Sequence, residues 1–209
     1  MRIHFVRHGE SQANALHIIA NRGQPYPLTS LGEQQARDLA ERLSGVPVTR
    51  VFHSPILRAV QTAQIIAARL NAPIEAADAL REPDCGVLEG RSDAESWAQH
   101  MALLRAWLLD HRWDQRLEGG ESLLEMRDRF LPLVETLCRQ YGPGNGDLVL
   151  VGHSALYACL LPLVMDNVDH SFAWSHPLKK AGHVVAQWSA PNLHCMDWDG
   201  VLLDQGGTA

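Results

Sequence analysis

Short runs of branched apolar residues alternate along the chain with longer stretches whose apolar positions recur every three or four residues. That alternation predicts strands interleaved with amphipathic helices. Ile3 to Val6 reads as the first strand. In LTSLGEQQARDLAERLSG at 28–45, Ala36, Leu39, Ala40 and Leu43 fall on one helical face; Ser30 and Glu33 have capping-box spacing, and Gly45 is placed to end the helix. Val51 to His53 is a second strand, and Pro55 suits the first turn of a helix whose inner face is Ile56, Ala59, Ala63, Ile66, Ala67 and Leu70. Ile74 to Ala76 makes a weaker third strand, and residues 81–92 read as loop. Helices follow at about 93–111 and 122–141, the second opened by Ser122 and Glu125 and bent at Pro132. A GPGNG turn at 142–146 leads into the most apolar strand, Asp147 to Val151, which runs through Gly152 and His153 into a helix beginning near Ser154. His183 to Ser189 and about Leu193 to Trp198 are the closing strands, and Gly206 to Ala209 reads as a loose tail.

Strand–helix alternation of this kind predicts an α/β fold, a three-layer α/β/α arrangement with a mostly parallel central sheet flanked by helices. The 209 residues, 46% of them hydrophobic, carry no internal repeat and no long linker, so a single domain over 1–209 is expected. The formal charge of −6, without runs of like charge, argues against a nucleic-acid partner, and any anion must meet a local positive site. The opening MRIHFVRHGE is too charged for a signal peptide, and the apolar stretch 148–165 is interrupted by His153 and Ser154. A cytoplasmic protein with no membrane partner is expected, and a homo-oligomer stays open. Cys85, Cys138, Cys159 and Cys195 are widely spaced and read as reduced and mostly buried.

Several polar residues fall just after strand ends: Arg7, His8 and Asn14 after the first, Arg58 after the second, His153 after the fourth. In an open α/β sheet these ends share one edge, where ligands bind. Taken singly, a histidine is more often a satisfied side chain and an arginine a surface charge. Together they suit a phosphoryl group, because guanidinium forks pair bidentately with its oxygens and helix N-termini add donors.

VRHGESQAN at 6–14 resembles the signature of the histidine phosphatase superfamily, the phosphoglycerate mutase-like family. LTSLGEQQA at 28–36, HSPILRAVQTA at 53–63, LREPDCGVLEG at 80–90, GGES at 119–122 and LVLVGHSALY at 148–157 resemble its later blocks in the same order, from the N-terminus to about residue 160. The resemblance implies that His8 is a nucleophile forming a phosphohistidine, that Arg7, Arg58 and the catalytic His153 hold the transferred oxygens, and that Asn14 adds a donor. A nucleophilic imidazole also needs a partner on its other ring nitrogen to fix the tautomer, and the sequence does not reveal it. Glu82 matches the acidic residue that protonates the leaving oxygen and then deprotonates water. Asp84 is its rival, with a turn-forming role as the plainer reading. Glu10 and Glu121 match too, with helix capping as the competing role.

Two departures bear on substrate. Pro25 stands where an acidic residue is common before Tyr26-Pro27-Leu28-Thr29, and the usual His-Gly-Gly is His153-Ser154-Ala155. Ser154 either bonds the phosphate or, by default, caps the following helix. The remaining histidines lack metal-ligand spacing as a set, so neither metal nor other cofactor is expected. The favoured expectation is a metal-independent phosphomonoesterase acting on a small phosphorylated metabolite. The alternatives are a phosphoglycerate-type mutase, disfavoured because 209 residues leave little for a lid over the substrate, and a catalytically silent phosphate-binding or interaction module. Trp97, Trp107 and Trp113 either wall the pocket or belong to the core.

Overall fold

The computed structural model describes residues 1–22, 25–142 and 144–203, so the expected tail at 206–209 lies outside the described residues. In chain order the elements are β1 (Arg2–Arg7), α1 (Gln12–Ala15), α2 (Ser30–Arg42), β2 (Val48–His53), α3 (Leu57–Leu70), β3 (Ile74–Ala76), α4 (Ala94–Leu108), α5 (Leu123–Gln140), β4 (Asp147–Gly152), α6 (Ser154–Leu160), α7 (His170–Ser175), β5 (His183–Ser189), β6 (Asn192–Trp198) and β7 (Val201–Leu202).

The strands form a seven-stranded sheet in the order β3-β2-β4-β1-β5-β6-β7. β3, β2, β4 and β1 run parallel, whereas β5, β6 and β7 join antiparallel. The expected mostly parallel sheet is therefore corrected to a mixed one. The reason lies in the connections: β5 and β6 are separated only by Ala190 and Pro191, and β6 and β7 only by Asp199 and Gly200. Links that short permit a hairpin, while a parallel return needs a crossover of about a dozen residues.

Helices cover both faces, because the strands alternate their apolar side chains between them. Ile3, Phe5, Leu148 and Leu150 pack with Phe130 of α5 and with Leu156 and Tyr157 of α6. Val51, Val149 and Val151 pack on the other face with Leu39 and Ala40 of α2 and with Ala59, Ala63 and Ile66 of α3. Burying each large aliphatic or aromatic side chain contributes about 1.5–3 kcal/mol. Ser122 and Glu125 make the expected capping box of α5, which continues through Pro132 as one 18-residue helix. The cap of α2 is Thr29 rather than Ser30: the Thr29 hydroxyl accepts from the Gly32 N–H at 3.0 Å.

The loop after β1 presses against the start of α2 so closely that glycine is required on both sides. A Cβ on Gly9 would collide with the Gly32 carbonyl, and one on Gly32 with the Glu10 carbonyl. The same loop is tied to α3, where the Thr62 hydroxyl accepts from the Gly9 N–H at 3.1 Å and donates to the Arg58 carbonyl at 2.8 Å. Backbone position at residues 8–10 is thus fixed from two helices. Among the described residues no helix is long and apolar enough to cross a membrane.

Candidate active site

Parallel pairing places Arg7 of β1 beside Gly152 of β4, and His53 of β2 beside Val151. The strands therefore end at one edge, and the next residue of each, His8, Ser54 and His153, emerges there. The ladder extends into these residues: the His8 N–H donates to the Gly152 carbonyl at 3.1 Å, and the Ser54 N–H to the Val151 carbonyl at 2.9 Å. Arg58, in the first turn of α3, reaches into the same space and is 4% exposed.

The His8 tautomer follows from its neighbours. Nδ1 lies 2.6 Å from the Gly9 carbonyl, which can only accept, so Nδ1 carries the proton. Nε2 accepts from Arg58 Nε at 2.9 Å, which leaves its lone pair directed at the cationic fork. This backbone carbonyl is the tautomer-fixing partner that the sequence conceals. His153 is held by the same logic: Nδ1 accepts from Arg58 Nη2 at 3.3 Å, so Nε2–H donates to the Ser54 hydroxyl at 2.9 Å. The His8 and His153 rings meet edge to face with centroids 5.1 Å apart. Burial, with Arg58 and Arg7 nearby, holds the His8 pKa well below the usual histidine range, and the Gly9 bond offsets only part of this. Burial, Arg58 and His8 do the same to His153. Both rings are therefore neutral near neutral pH.

Glu82 approaches from the loop after β3. Its two carboxylate oxygens accept from the backbone N–H groups of Ala155 and Leu156 at 3.2 and 3.0 Å, at the start of α6. Burial raises the Glu82 pKa above the ordinary carboxylate value, outweighing those two N–H bonds and the pull of Arg58 and Arg7. The N-cap residue of α6 is His153, whose side chain makes no cap bond. Ser154 therefore does not cap this helix, contrary to the default expectation, because the Glu82 carboxylate already occupies its free donors.

A cavity of about 360 Å³ opens over these groups and is lined at one end by Arg7, His8, Asn14, Arg58, Glu82 and Ser154. His153 is fully buried and meets the cavity through Arg58 and the His8 ring rather than as a lining residue. Arg7 is steered by an Nη1 bond to the Leu178 carbonyl at 2.5 Å, while its buried Nε has no protein partner among the described residues. Asn14 lines the cavity while its Oδ1 accepts from the Ser11 N–H in the capping box of α1.

The other acidic candidates are placed elsewhere. Asp84 accepts from Arg22 Nε at 2.8 Å and from the Gly86 N–H, the turn role expected of it, and lines a surface hollow that shares only Glu82 with the cavity. The Glu10 carboxylate accepts from the Thr29 hydroxyl. Glu121 forms a bidentate pair with Arg129, whose remaining donors hold the Ala79 and Arg81 carbonyls, so this pair braces the segment carrying Glu82.

Of the tryptophans, Trp97 lines the cavity, Trp107 is core and Trp113 packs against the core. Wall residues missed from the sequence include Asn21, His100, Met101, Leu104 and Trp174. The α4 residues that face the cavity have the spacing of an ordinary core stripe, and α7, with six residues, is too short for periodicity to reveal. All four cysteines are free and buried, as expected.

A profile of the histidine phosphatase superfamily (branch 1) matches residues 3–199. A relative in Salmonella choleraesuis named "Probable phosphoglycerate mutase GpmB" is 34% identical over 165 residues, covering 79% of this chain and 75% of its own. The fold is shared with mycobacterial glucosyl-3-phosphoglycerate phosphatase, solved with VO3, at a TM-score of 0.82, 22% identity and coverage of 96% and 99% of the two chains. It is also shared with the alpha-ribazole phosphatase from Shigella flexneri, at a TM-score of 0.76, 21% identity and coverage of 95% and 96%.

Proposed function

This chain belongs to the histidine phosphatase superfamily, and we propose that it is a phosphatase that hydrolyses a small phosphomonoester through a phosphohistidine on His8. The observation that carries this reading is the His8 tautomer, whose Nδ1–H donates to the Gly9 carbonyl and whose unprotonated Nε2 accepts from Arg58 Nε. An arriving phosphoryl group takes over the donors of Arg58 and finds those of Arg7. Nε2 attacks phosphorus, the ester P–O bond breaks, and protonated Glu82 delivers its proton to the leaving oxygen. Water then attacks phosphorus while its proton passes to Glu82, the P–N bond breaks with its electron pair returning to His8 Nε2, and inorganic phosphate leaves with His8 restored. The positive charge that stabilises the loose transition state comes from Arg7 and Arg58, so the reaction is metal-independent in this reading. Asn14 and Ser154, which line the cavity, touch the phosphoryl oxygens in this reading, and His153 acts by positioning Arg58.

A mutase reading is favoured by the name of the Salmonella relative. It requires a second anionic group to be held during reorientation. Among the described residues, Arg7 and Arg58 are the Lys and Arg side chains lining the cavity, and both belong to its phosphoryl end. Hydrolysis therefore stands first. A panel of phosphomonoesters, assayed for released phosphate with and without a bisphosphate primer, tests this: release without primer is expected, and isomerisation that depends on primer would overturn it.

Arg58→Ala should weaken competitive inhibition by inorganic phosphate about 10- to 100-fold, the value of a charge-assisted hydrogen-bond pair, as well as lowering kcat. An unchanged inhibition constant would mean that Arg58 only supports the fold.

A further inference from the structure

The cavity has two chemically distinct ends. Away from Arg7, His8 and Arg58 its wall is built by α4 and α7: Trp97, Met101, Leu104 and Leu108 from the first, Ala173 and Trp174 from the second. Ile18 and Ile19, from the segment whose His17 carbonyl holds Trp97, also line the cavity. Met101 is 45% exposed while lining the cavity, so the apolar surface continues to the mouth.

The polar groups on this wall are already committed or neutral. The Asn21 side-chain amide donates to the Pro83 carbonyl and to Cys85 Sγ, both at 2.9 Å. His100 has Nδ1 against Cys85 Sγ at 3.3 Å, and burial lowers its pKa to about 4, so it is uncharged near neutral pH. Trp97 Nε1 donates to the His17 carbonyl at 2.7 Å, which fixes the ring in place. A carboxylate or second phosphate on the substrate would meet no cation among the described residues of this wall, and an unpaired charge in such surroundings is strongly disfavoured. An alkyl or aryl group would lose water against tryptophan, leucine and methionine side chains that are already in place. The volume, about 360 Å³, sits at the small end of ligand cavities, which run from about 300 to 1,000 Å³.

We infer that the enzyme takes phosphomonoesters whose organic part is apolar and uncharged, with the wall formed by Trp97, Leu104, Leu108 and Trp174 as the specificity determinant. This rests on the phosphatase reading above and adds the substrate class to it.

The test is a homologous series of n-alkyl phosphates from ethyl to hexyl, with 3-phosphoglycerate as the charged comparison. All the alkyl members have leaving oxygens of similar basicity, so differences along the series report contact with the wall rather than chemistry. For the wild-type protein kcat/KM should climb by up to about fourfold per methylene until the cavity is filled. Phosphoglycerate should lie about 10²-fold or more below hexyl phosphate. Leu104→Asp should flatten the climb, and if that protein does not fold, Trp174→Ala, at a half-buried position, reads the same slope and should reduce it. A flat wild-type series, a preference for phosphoglycerate, or variants that keep the full slope would overturn the substrate class while leaving the phosphatase reading intact. Failure to release phosphate from any ester would instead remove the phosphatase reading, and this inference with it.

Discussion

His8→Ala should lower kcat by about 10⁶, because removing a covalent nucleophile removes the reaction path and not merely one stabilising contact. The neighbouring imidazole cannot take over. His153 has Nδ1 engaged with Arg58 and Nε2 engaged with Ser54, and it lies fully buried behind the guanidinium. The wild-type protein, quenched in base during turnover of a radiolabelled ester, should yield an alkali-stable, acid-labile phosphoryl adduct that maps to His8. The alanine variant should yield none while still unfolding cooperatively, since the loop at residues 8–10 is also held by Thr62 and by the start of α2. An adduct mapped to another residue, or turnover within a few-fold of wild type, would overturn the covalent assignment. Because burial and two nearby arginines keep the His8 pKa well below the histidine norm, the free enzyme retains its neutral nucleophile into mildly acidic solution.

The sequence made the elements and the main site residues readable, and left the site's geometry hidden. Period and composition located β1, α3 and β4, and the strand-end rule then gathered Arg7, His8, Arg58 and His153 on one edge. Strand direction is a different kind of information. The run at 183–189 reads as a strand from its residues, but its antiparallel pairing with β1 is a property of the return path. The two-residue link at Ala190 and Pro191 carried that signal for β5 and β6. The partner that fixes the His8 tautomer is a main-chain carbonyl, which any residue at position 9 would supply, so no side-chain pattern could announce it. The bracing of the Glu82 segment by Arg129 spans 50 residues of sequence to Ala79, and only the packing of α5 brings the two together. On α4, Trp97, Met101, Leu104 and Leu108 have the spacing of a stripe facing a core. Helical periodicity cannot tell a filled interior from a cavity wall.

Glu82→Gln should slow phosphorylation of His8 by alkyl phosphates about 10²- to 10⁴-fold, since a general acid matters in proportion to the basicity of the oxygen it protonates. Nitrophenyl phosphate should suffer much less, because its phenolate departs without help. Single-turnover adduct formation is the clean measurement, as the second step needs Glu82 again as a base and slows overall turnover for both substrates. Burial raises the Glu82 pKa above the usual carboxylate value, so the acid form persists to higher pH than an exposed glutamate would allow. The phosphorylation rate should then fall as pH rises through that raised value and the proton is lost, and the glutamine variant, with nothing to lose, should lack this limb. The matched control is Asp84→Asn, which disturbs the Arg22 pair and the turn at Gly86, in a hollow that shares only Glu82 with the cavity. Its phosphorylation rates should stay close to wild type for both esters. Equal losses on the two esters in Glu82→Gln would make Glu82 a structural cap of α6, and a loss confined to alkyl phosphates in Asp84→Asn would move the acid role there.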